Sequence, residues 1–413
     1  MSGVEVVVPA LGAVEADDLV ATWADDAPTV RPFADDTMAF AIAYGRALAA
    51  SEVARLHPEV RALAFWLREA PLRELQRAYD DGRPAEVVAA PRGTVFHIPP
   101  GNVDTVFVYS WLLAALVGNR NLVRLPTGGG AVVESLAAVA DEVLAEERFA
   151  GMRGRTRLVR YGHDAEVTAA ISAVSDVRVL WGGDASVLAL RSVPLPPHAT
   201  ELTFPDRFAF ALLDVAAVEA LDEPALDRLA DRFVTDSYWF DQVACSSPRL
   251  VVWHGGAEAA AAVSARFFPA VARAAERSGY RAPLSAVLGK FVHAAVAVID
   301  EDVERVRLSG NEVFALTLPD ADLFRREAPG GGLFYELTVA DLEEVAAFAG
   351  RRDQTVTHFG FGVDALRALA EACNGRGIDR LVPVGQALAL QRFWDGYDLL
   401  AGFTRLTHVV AGR

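Results

Sequence analysis

The most constraining feature of the sequence is a regular alternation of short apolar runs with helix-like segments between residues 94 and 190. Buried strands are predicted for the runs 94-TVFHI-98, 121-NLVRL-125, 156-TRLVR-160 and 177-VRVLW-181. The segments between them carry apolar residues at helical spacing, which predicts helices such as 131–146 and 164–173. Strands that alternate with helices predict a parallel, doubly wound α/β sheet, which binds ligands beyond the carboxyl ends of its strands.

The second half of the chain repeats this alternation less regularly. Strands are predicted at 208-FAFALLD-214, 249–253, 313-VFALTL-318, 354-QTVTHFG-360 and 379-DRLVPVG-385. Predicted helices lie between them at 224–236, 256–277 and 363–373. This pattern favours a second α/β lobe in the same chain.

The composition excludes several classes of partner and compartment. A net charge of −16 argues against nucleic acid or an anionic membrane surface, since both need clustered cations. Two cysteines are too few for a disulfide framework or a zinc site, so we expect a reducing compartment and no metal. The N-terminus does not look like a signal peptide and the longest apolar run, near 106–118, is too short to cross a bilayer. These features predict a cytoplasmic protein. The only lysine among 39 lysines and arginines, Lys290, is interpreted as coding bias.

Two features leave more than one interpretation open. Cys245 lies between the polar pair Asp241-Gln242 and the predicted strand 249–253, where it is either core filler or a thiolate nucleophile. The pair Gly182-Gly183 follows strand 177–181 and opens a predicted helix. Its backbone N–H groups could face a cofactor phosphate, or the pair could form a plain turn.

Five stretches in order along the chain carry a more specific signal than any single motif. They are 91-PRGTVFHIPPGNVDTVF-107, 114-AALVGNRNLVRLPTGG-129, 241-DQVACSSPRLVV-252, 310-GNEVFALTL-318 and 381-LVPVGQALALQRFWDGYDLLAGFTR-405. Together they resemble the aldehyde dehydrogenase superfamily, and within it the fatty acyl-CoA reductases of bacterial luminescence systems. The resemblance covers about residues 90–410. It implies an α/β fold with a Rossmann-type cofactor domain, residues 1–203 with 385–413 returning to it, and an α/β catalytic domain, residues 204–384.

The resemblance implies a role for each residue that matches a motif. Cys245 matches the nucleophile of a Gly-Gln-x-Cys segment, and a thiolate both attacks thioesters and leaves well from a thiohemiacetal. Asn102, in the turn that contains Pro100, would stabilise the oxyanion together with the backbone N–H of Cys245. Glu312 and Phe314 match a Glu-x-Phe segment that holds the nicotinamide ribose.

The sequence departs from the superfamily pattern at three positions. Arg124 stands where the superfamily has lysine, and Thr127 stands where members that prefer NAD often carry glutamate. A guanidinium beside a neutral hydroxyl tolerates a 2′-phosphate, which favours NADPH as the cofactor. Glu201 keeps the Glu-Leu of the general-base motif but loses both glycines that follow it. It is therefore expected to be either a base that helps to ionise Cys245 or a structural residue.

The resemblance predicts NADPH-dependent reduction of a fatty acyl-CoA to the aldehyde, through an acyl-enzyme on Cys245. One alternative is an aldehyde dehydrogenase that oxidises aldehydes with Glu201 as its base. Another is a non-redox acyl-transfer subunit. A non-catalytic cofactor-binding homologue is disfavoured because Cys245 and Asn102 are both present. The expected partners are an acyl-CoA or another acyl thioester, an acyl-donor protein and further copies of the chain in a homo-oligomer.

Overall fold

The protein is described from a computed structural model. The structure describes residues 3–24, 28–81, 83–300, 302–324, 326–327 and 329–410. The chain divides into two compact units, one formed by residues 1–205 with 390–413 and the other by residues 206–389. Each unit is built on one seven-stranded sheet.

In the described part of residues 3–204, eight strands and ten α-helices form the body of the first unit. The strands are β1 (Gly3–Val8), β2 (Gly12–Glu15), β3 (Val87–Pro91), β4 (Thr94–Ile98), β5 (Arg120–Leu125), β6 (Thr156–Arg160), β7 (Val177–Trp181) and β8 (Thr200–Phe204). The helices are α1 (Ala16–Ala24), α2 (Asp35–Ala50), α3 (Glu52–Leu56), α4 (Pro58–Trp66), α5 (Glu69–Asp80), α6 (Val106–Leu116), α7 (Ala131–Leu144), α8 (Ala150–Gly154), α9 (Ala165–Ala173) and α10 (Asp184–Arg191).

The sheet of the first unit has the strand order β2-β1-β6-β5-β4-β7-β8. All neighbours from β6 to β8 are parallel, as the sequence predicted. β4 and β7 are buried along their whole length, because helices cover both faces of a parallel sheet. The N-terminal hairpin of β1 and β2 is antiparallel and was not predicted. Val4, Val6 and Val8, at every second position of β1, are its buried side chains.

The second unit contains seven strands and six α-helices among its described residues. The strands are β9 (Phe208–Asp214), β10 (Pro248–His254), β11 (Arg305–Ser309), β12 (Val313–Thr317), β13 (Leu333–Val339), β14 (Asp353–Phe359) and β15 (Arg380–Pro383). The helices are α11 (Val215–Glu219), α12 (Glu223–Tyr238), α13 (Ala257–Arg277), α14 (Leu284–Ile299), α15 (Leu342–Phe348) and α16 (Val363–Cys373). The strand order is β11-β12-β13-β10-β9-β14-β15, and every neighbouring pair is parallel except β11 with β12.

The predicted strands and helices of this unit are present with small shifts at their ends, but β11, β13, α11, α14 and α15 were not predicted. β13 carries Glu336 at its centre, and a charged residue interrupts the apolar run that would indicate a buried strand. The structure shows why this charge is tolerated. The Glu336 carboxylate is buried and accepts hydrogen bonds from Trp253 Nε1 at 3.1 Å and Ser264 Oγ at 2.6 Å. Across the described ranges, no helix, α14 included, is both long and apolar enough to cross a membrane.

The chain then returns to the first unit through β16 (Phe393–Trp394), β17 (Tyr397–Asp398), α17 (Leu399–Gly402) and β18 (Thr404–His408). β18 pairs antiparallel with β3 to form a two-stranded ribbon. Two side chains fix this tail to the body of the unit. Asn119 Nδ2 donates to Phe403 O at 3.0 Å, and Arg92 Nε donates to Gly402 O at 2.8 Å.

Candidate active site

The first unit contains a cavity of about 560 Å³ at the carboxyl edge of its sheet. Six residues singled out in the sequence line it together: Pro100, Asn102, Arg124, Thr127, Gly182 and Gly183. They lie at or just after the ends of β4, β5 and β7. The carboxyl ends of parallel strands meet at one edge of a sheet, so residues far apart in sequence come together there.

Arg124 is held at the end of β5 by the loop that follows β6. Its Nη2 donates to Gly162 O at 2.9 Å, and its guanidinium lies 4.6 Å from the centre of the Tyr161 ring. His163 Nδ1 lies 3.4 Å from the same Nη2 and also lines the cavity. The other nitrogens of Arg124 have no partner among the residues that the structure describes. They can therefore donate to an anion.

The cavity carries the chemistry of an anion site. Among the described residues that line it, none has a carboxylate, whereas Arg124 and His163 supply side-chain nitrogens. Helix α10 begins there, with Gly183 as its N-cap and no side-chain cap on its first N–H groups. Free N–H groups at a helix N-terminus bind phosphate well. His163 and Ser186 were not predicted as site residues, although His163 follows β6 at the same sheet edge.

Glu201 lies away from this cavity, in the first half of β8. It stands opposite Arg178 in the register of β7 and β8, three residues before the strand ends at Phe204. At about 3.3 Å per residue this places its Cα about 10 Å from the carboxyl edge. Arg178 Nε donates to its Oε2 at 2.7 Å, and Arg191 Nε donates to its Oε1 at 3.1 Å. These contacts favour the structural role for Glu201 over that of a base.

Cys245 belongs to the second unit, in the loop between α12 and β10. Gln242 anchors this loop from a fully buried position. Its Nε2 donates to Pro248 O at 2.9 Å and Leu333 O at 3.0 Å, while its Oε1 accepts from Gly332 N at 2.8 Å. The backbone at Gln242 is left-handed, with φ at 64°, so the loop turns sharply just before the cysteine.

The two cysteines lie in different environments. Cys245 is half-buried, whereas Cys373 is buried in the apolar core at the end of α16. Burial raises the pKa of the Cys373 thiol, which makes it a poor nucleophile.

Arg249 is a neighbour of Cys245 that the sequence did not single out. Its Nε donates to Gln242 O at 3.1 Å, which fixes the guanidinium against the cysteine loop. Burial lowers the pKa of Arg249, and the charges of Cys245 and Asp206 act in the opposite direction. A thiolate at Cys245 would therefore be stabilised by this guanidinium.

The predicted ribose-binding residue Glu312 lies just before β12, and a buried lysine lies beside it. Lys290 is fully buried on α14 and donates from Nζ to Gly331 O at 2.6 Å and to Asn311 O. Burial lowers the pKa of Lys290 to about 8, and the nearby Glu312 carboxylate raises it in part. The glycine turn that Lys290 binds also contacts the cysteine loop, since Gly331 N donates to Asp241 O at 2.8 Å.

Lys290 thus connects the Glu312 turn with the turn that supports the cysteine loop, and coding bias is an incomplete interpretation of this residue. Its signal was its isolation, since every other long-chain cation is an arginine. Phe314, the other residue of the predicted ribose segment, is buried in β12 and lies with its ring centre 4.8 Å from Lys290 Nζ. Over the described ranges, no cluster of histidine, cysteine, aspartate and glutamate is suited to hold a metal ion.

Several aldehyde dehydrogenases of known structure share this fold. An NAD-dependent benzaldehyde dehydrogenase from Corynebacterium glutamicum is 15% identical, with a TM-score of 0.63 over 95% of this chain and 87% of that one. Lactaldehyde dehydrogenase from Escherichia coli is 14% identical, with a TM-score of 0.64 over 98% of this chain and 95% of that one. An indole-3-acetaldehyde dehydrogenase in complex with NAD⁺ is 15% identical, with a TM-score of 0.60 over 95% of this chain and 86% of that one. The protein is therefore an α/β protein of the aldehyde dehydrogenase fold, as predicted.

The family is narrower than the fold. The acyl-CoA reductase (LuxC) family matches this chain over residues 62–281, which is more than half of its length. The chain belongs to this family, and it is an oxidoreductase that acts on the acyl/aldehyde couple. No curated protein sequence matches the chain.

Proposed function

We propose that this protein reduces a fatty acyl-CoA thioester to the aldehyde with NADPH, through an acyl-enzyme on Cys245. The observation that carries the proposal is the cavity of the first unit. It gathers Asn102, Arg124, Thr127 and the Gly182-Gly183 turn at one sheet edge, with no carboxylate among its described lining residues.

These residues fit a phosphorylated dinucleotide. The uncapped start of α10 and the spare guanidinium nitrogens of Arg124 would hold its phosphates. The hydroxyl of Thr127 leaves room for a 2′-phosphate, which a carboxylate would repel. Glu312 would accept hydrogen bonds from the nicotinamide ribose. Bound there, NADPH supplies the hydride for the reduction.

In the first chemical step, the Cys245 sulfur forms a bond to the thioester carbon. CoA leaves as a thiolate with the electrons of the old carbon–sulfur bond. Arg249 stabilises the attacking thiolate electrostatically. Asn102 would donate its amide hydrogen to the oxyanion, a contact worth a few kcal/mol in comparable sites. After reduction, the thiohemiacetal loses its hydroxyl proton, the carbon–sulfur bond breaks, and the aldehyde and the Cys245 thiolate are released.

Aldehyde oxidation is the less favoured direction. Hydrolysis of the acyl-enzyme to an acid needs a general base for water, and the sequence offers Glu201 for this role. Arginine side chains bind both of its carboxylate oxygens in the structure. A reductase without such a base would protect its acyl-enzyme from water.

The test is to incubate the protein with radioactive acyl-CoA in the absence of NADPH and map the label. We expect the label on Cys245 and its release as aldehyde, with consumption of NADPH, once the cofactor is added. Cys245→Ala should lose both the label and the activity, whereas the matched control Cys373→Ala should keep both. Label on Cys373 would overturn the assignment of the nucleophile. Transfer of the acyl group without NADPH consumption would favour a non-redox acyl transferase.

A further inference from the structure

The loop between β6 and α9 is arranged around the Arg124 side chain. It runs from Tyr161 to Asp164, and its first three residues each contact the guanidinium. The Tyr161 ring centre lies 4.6 Å from the guanidinium carbon, and Gly162 O accepts from Nη2 at 2.9 Å. His163 Nδ1 lies 3.4 Å from the same Nη2. A loop that meets one side chain three times determines where that side chain points.

The Tyr161 ring gives the guanidinium a fixed support. The ring is buried, and its hydroxyl lies 3.2 Å from Thr168 Oγ1 on α9. A guanidinium is attracted to the face of an aromatic ring, so Arg124 stays in contact with it. The Nε and Nη1 of Arg124 have no partner among the described residues, and the side chain lines the cavity.

The contact with Arg124 decides which nitrogen of His163 carries the ring hydrogen. Arginine donates hydrogen bonds but cannot accept one. His163 Nδ1 must therefore accept at this contact, which leaves the hydrogen on Nε2. Nε2 has no partner among the described residues, and His163 also lines the cavity. The two side chains thus offer donors to the same cavity.

Two acidic side chains of the surrounding elements are engaged elsewhere. Glu134, in the first turn of α7, accepts from Arg160 Nη2 at 2.5 Å. Asp164 caps α9, where its Oδ1 accepts from the backbone N–H groups of Glu166 and Val167. Neither carboxylate lines the cavity, so an anion beside Arg124 meets donors there.

The position in the sheet separates this pair from the other anion-binding feature of the cavity. His163 follows β6, whereas α10 follows β7, three strands further along the order β6-β5-β4-β7. At about 4.8 Å per strand, the two features lie roughly 14 Å apart. One phosphate cannot contact both. The start of α10 and the His163–Arg124 pair therefore suit different phosphates of one dinucleotide.

We propose that His163 determines cofactor specificity, because its Nε2–H donates to the 2′-phosphate of NADPH beside the Arg124 guanidinium. Two hydrogen bonds of about 2.9 Å let one phosphate bridge donors that lie about 6 Å apart. Nε2 is one carbon beyond the nitrogen that meets Arg124, so one phosphate can contact both side chains. NADH carries a hydroxyl in this place and lacks the charge that strengthens such bonds. The inference rests on the proposed use of NADPH.

The first measurement is the affinity of the full chain for 2′,5′-ADP and for 5′-AMP, by isothermal titration calorimetry. These probes differ only in the 2′-phosphate, and neither needs the chemistry at Cys245. We expect the wild type to bind 2′,5′-ADP about 100-fold more tightly, through bonds from both side chains. His163→Ala should weaken 2′,5′-ADP about tenfold, as for one lost hydrogen bond to a charged group, and leave 5′-AMP unchanged.

A matched pair of substitutions tests which nitrogen donates. Glutamine places its amide nitrogen where histidine has Nε2, whereas asparagine places its amide group near Nδ1. His163→Gln should therefore bind 2′,5′-ADP within about threefold of the wild type, and His163→Asn should behave like His163→Ala. His408→Ala is the control, since His408 is exposed on β18 and does not line the cavity. This control should bind both probes as the wild type does.

The possible failures are distinguishable. A wild type that binds both probes equally would overturn the choice of NADPH and this inference with it. A preference for 2′,5′-ADP that survives in His163→Ala would overturn the role of His163 alone. Equal affinities of His163→Gln and His163→Asn would refute Nε2 as the donor. A ¹⁵N spectrum of the histidine-labelled wild type checks the same point, since a hydrogen on Nδ1 of His163 would also refute it.

Discussion

Replacement of Lys290 by methionine separates the electrostatic role of this lysine from its contribution to packing. Methionine keeps an unbranched side chain of similar length but cannot donate a hydrogen bond. The carbonyl oxygens of Gly331 and Asn311 then lose this donor. A buried carbonyl left without its partner costs about 1–3 kcal/mol, so the two together destabilise the variant by about 2–6 kcal/mol.

The cost of burying the charge of Lys290 opposes this loss of stability. Burial lowers the pKa of Lys290 from 10.5 to about 8, with a smaller opposing effect from Glu312. At about 1.4 kcal/mol per pH unit, keeping the buried ammonium charged costs about 3 kcal/mol below pH 8. The methionine variant avoids this cost. We therefore expect its free energy of unfolding at pH 7 to stay within about 3 kcal/mol of the wild type.

The two proteins should respond differently to pH. Between pH 8 and 10.5, the unfolded chain keeps the lysine proton and the folded chain does not, so rising pH stabilises the wild type. The unfolding free energy of the wild type should therefore rise by about 3 kcal/mol relative to Lys290→Met over this range. At pH 7 the variant should also lose about tenfold or more in kcat, because the turns beside Glu312 and Asp241 lose their shared support.

The assay is urea denaturation of both proteins from pH 7 to 10.5, together with NADPH consumption at pH 7. Arg367→Met is the matched control, since this cation is exposed on α16. The free energy of unfolding of this control should change with pH as that of the wild type does. A difference between wild type and Lys290→Met that stays constant within 1 kcal/mol across the range would refute the electrostatic argument. Wild-type kcat in the variant would refute the supporting role.

Three further predictions follow from the first unit. Thr127→Glu should lower the preference for NADPH, measured as kcat/KM with NADPH divided by kcat/KM with NADH, because a carboxylate repels the 2′-phosphate. An unchanged preference would exclude the end of β5 from the cofactor site. Glu201→Gln should lower the free energy of unfolding by about 3 kcal/mol in urea, because it breaks a buried ion pair, but keep most of the acyl-CoA reduction rate. A stable acyl-enzyme in that variant would instead identify a hydrolytic base. Burial lowers the pKa of His97 to about 4, so the unfolded chain takes up its proton first as pH falls from 6.5. Stability should drop by about 3 kcal/mol between pH 6.5 and 4, and His97→Gln should lack this part of the acid transition.

The parts of the fold that could be predicted are those whose signal is local. Each strand from β4 to β7 is a short apolar run, and parallel strands end at a common edge, so residues such as Arg124, Thr127 and Gly182 could be expected to lie together. The family resemblance was needed to identify Cys245 as the nucleophile and acyl-CoA reduction as the reaction, because the spacing of apolar residues indicates neither.

The parts that could not be predicted depend on contacts between distant positions. Gln242 binds Leu333, 91 residues further along the chain, and Lys290 binds Gly331 across 41 residues. A single sequence does not show which buried polar groups will pair. For the same reason β13 was missed, since the partners that neutralise the cost of burying Glu336 lie on other elements.

The return of residues 390–410 to the first unit has a consequence for the order in which the chain becomes able to fold. During synthesis, residues 206–389 emerge as one uninterrupted stretch that contains every strand of the second sheet. The first unit begins earlier, but β18, the only partner of β3 among the described strands, is the last of them to be made. The side chain of Asn119 likewise cannot donate its hydrogen bond to Phe403 O until residue 403 has been made. The unit that is translated second can therefore complete its hydrogen bonding first, while the β3–β18 ribbon of the unit that is translated first cannot form until residues 404–408 have been made.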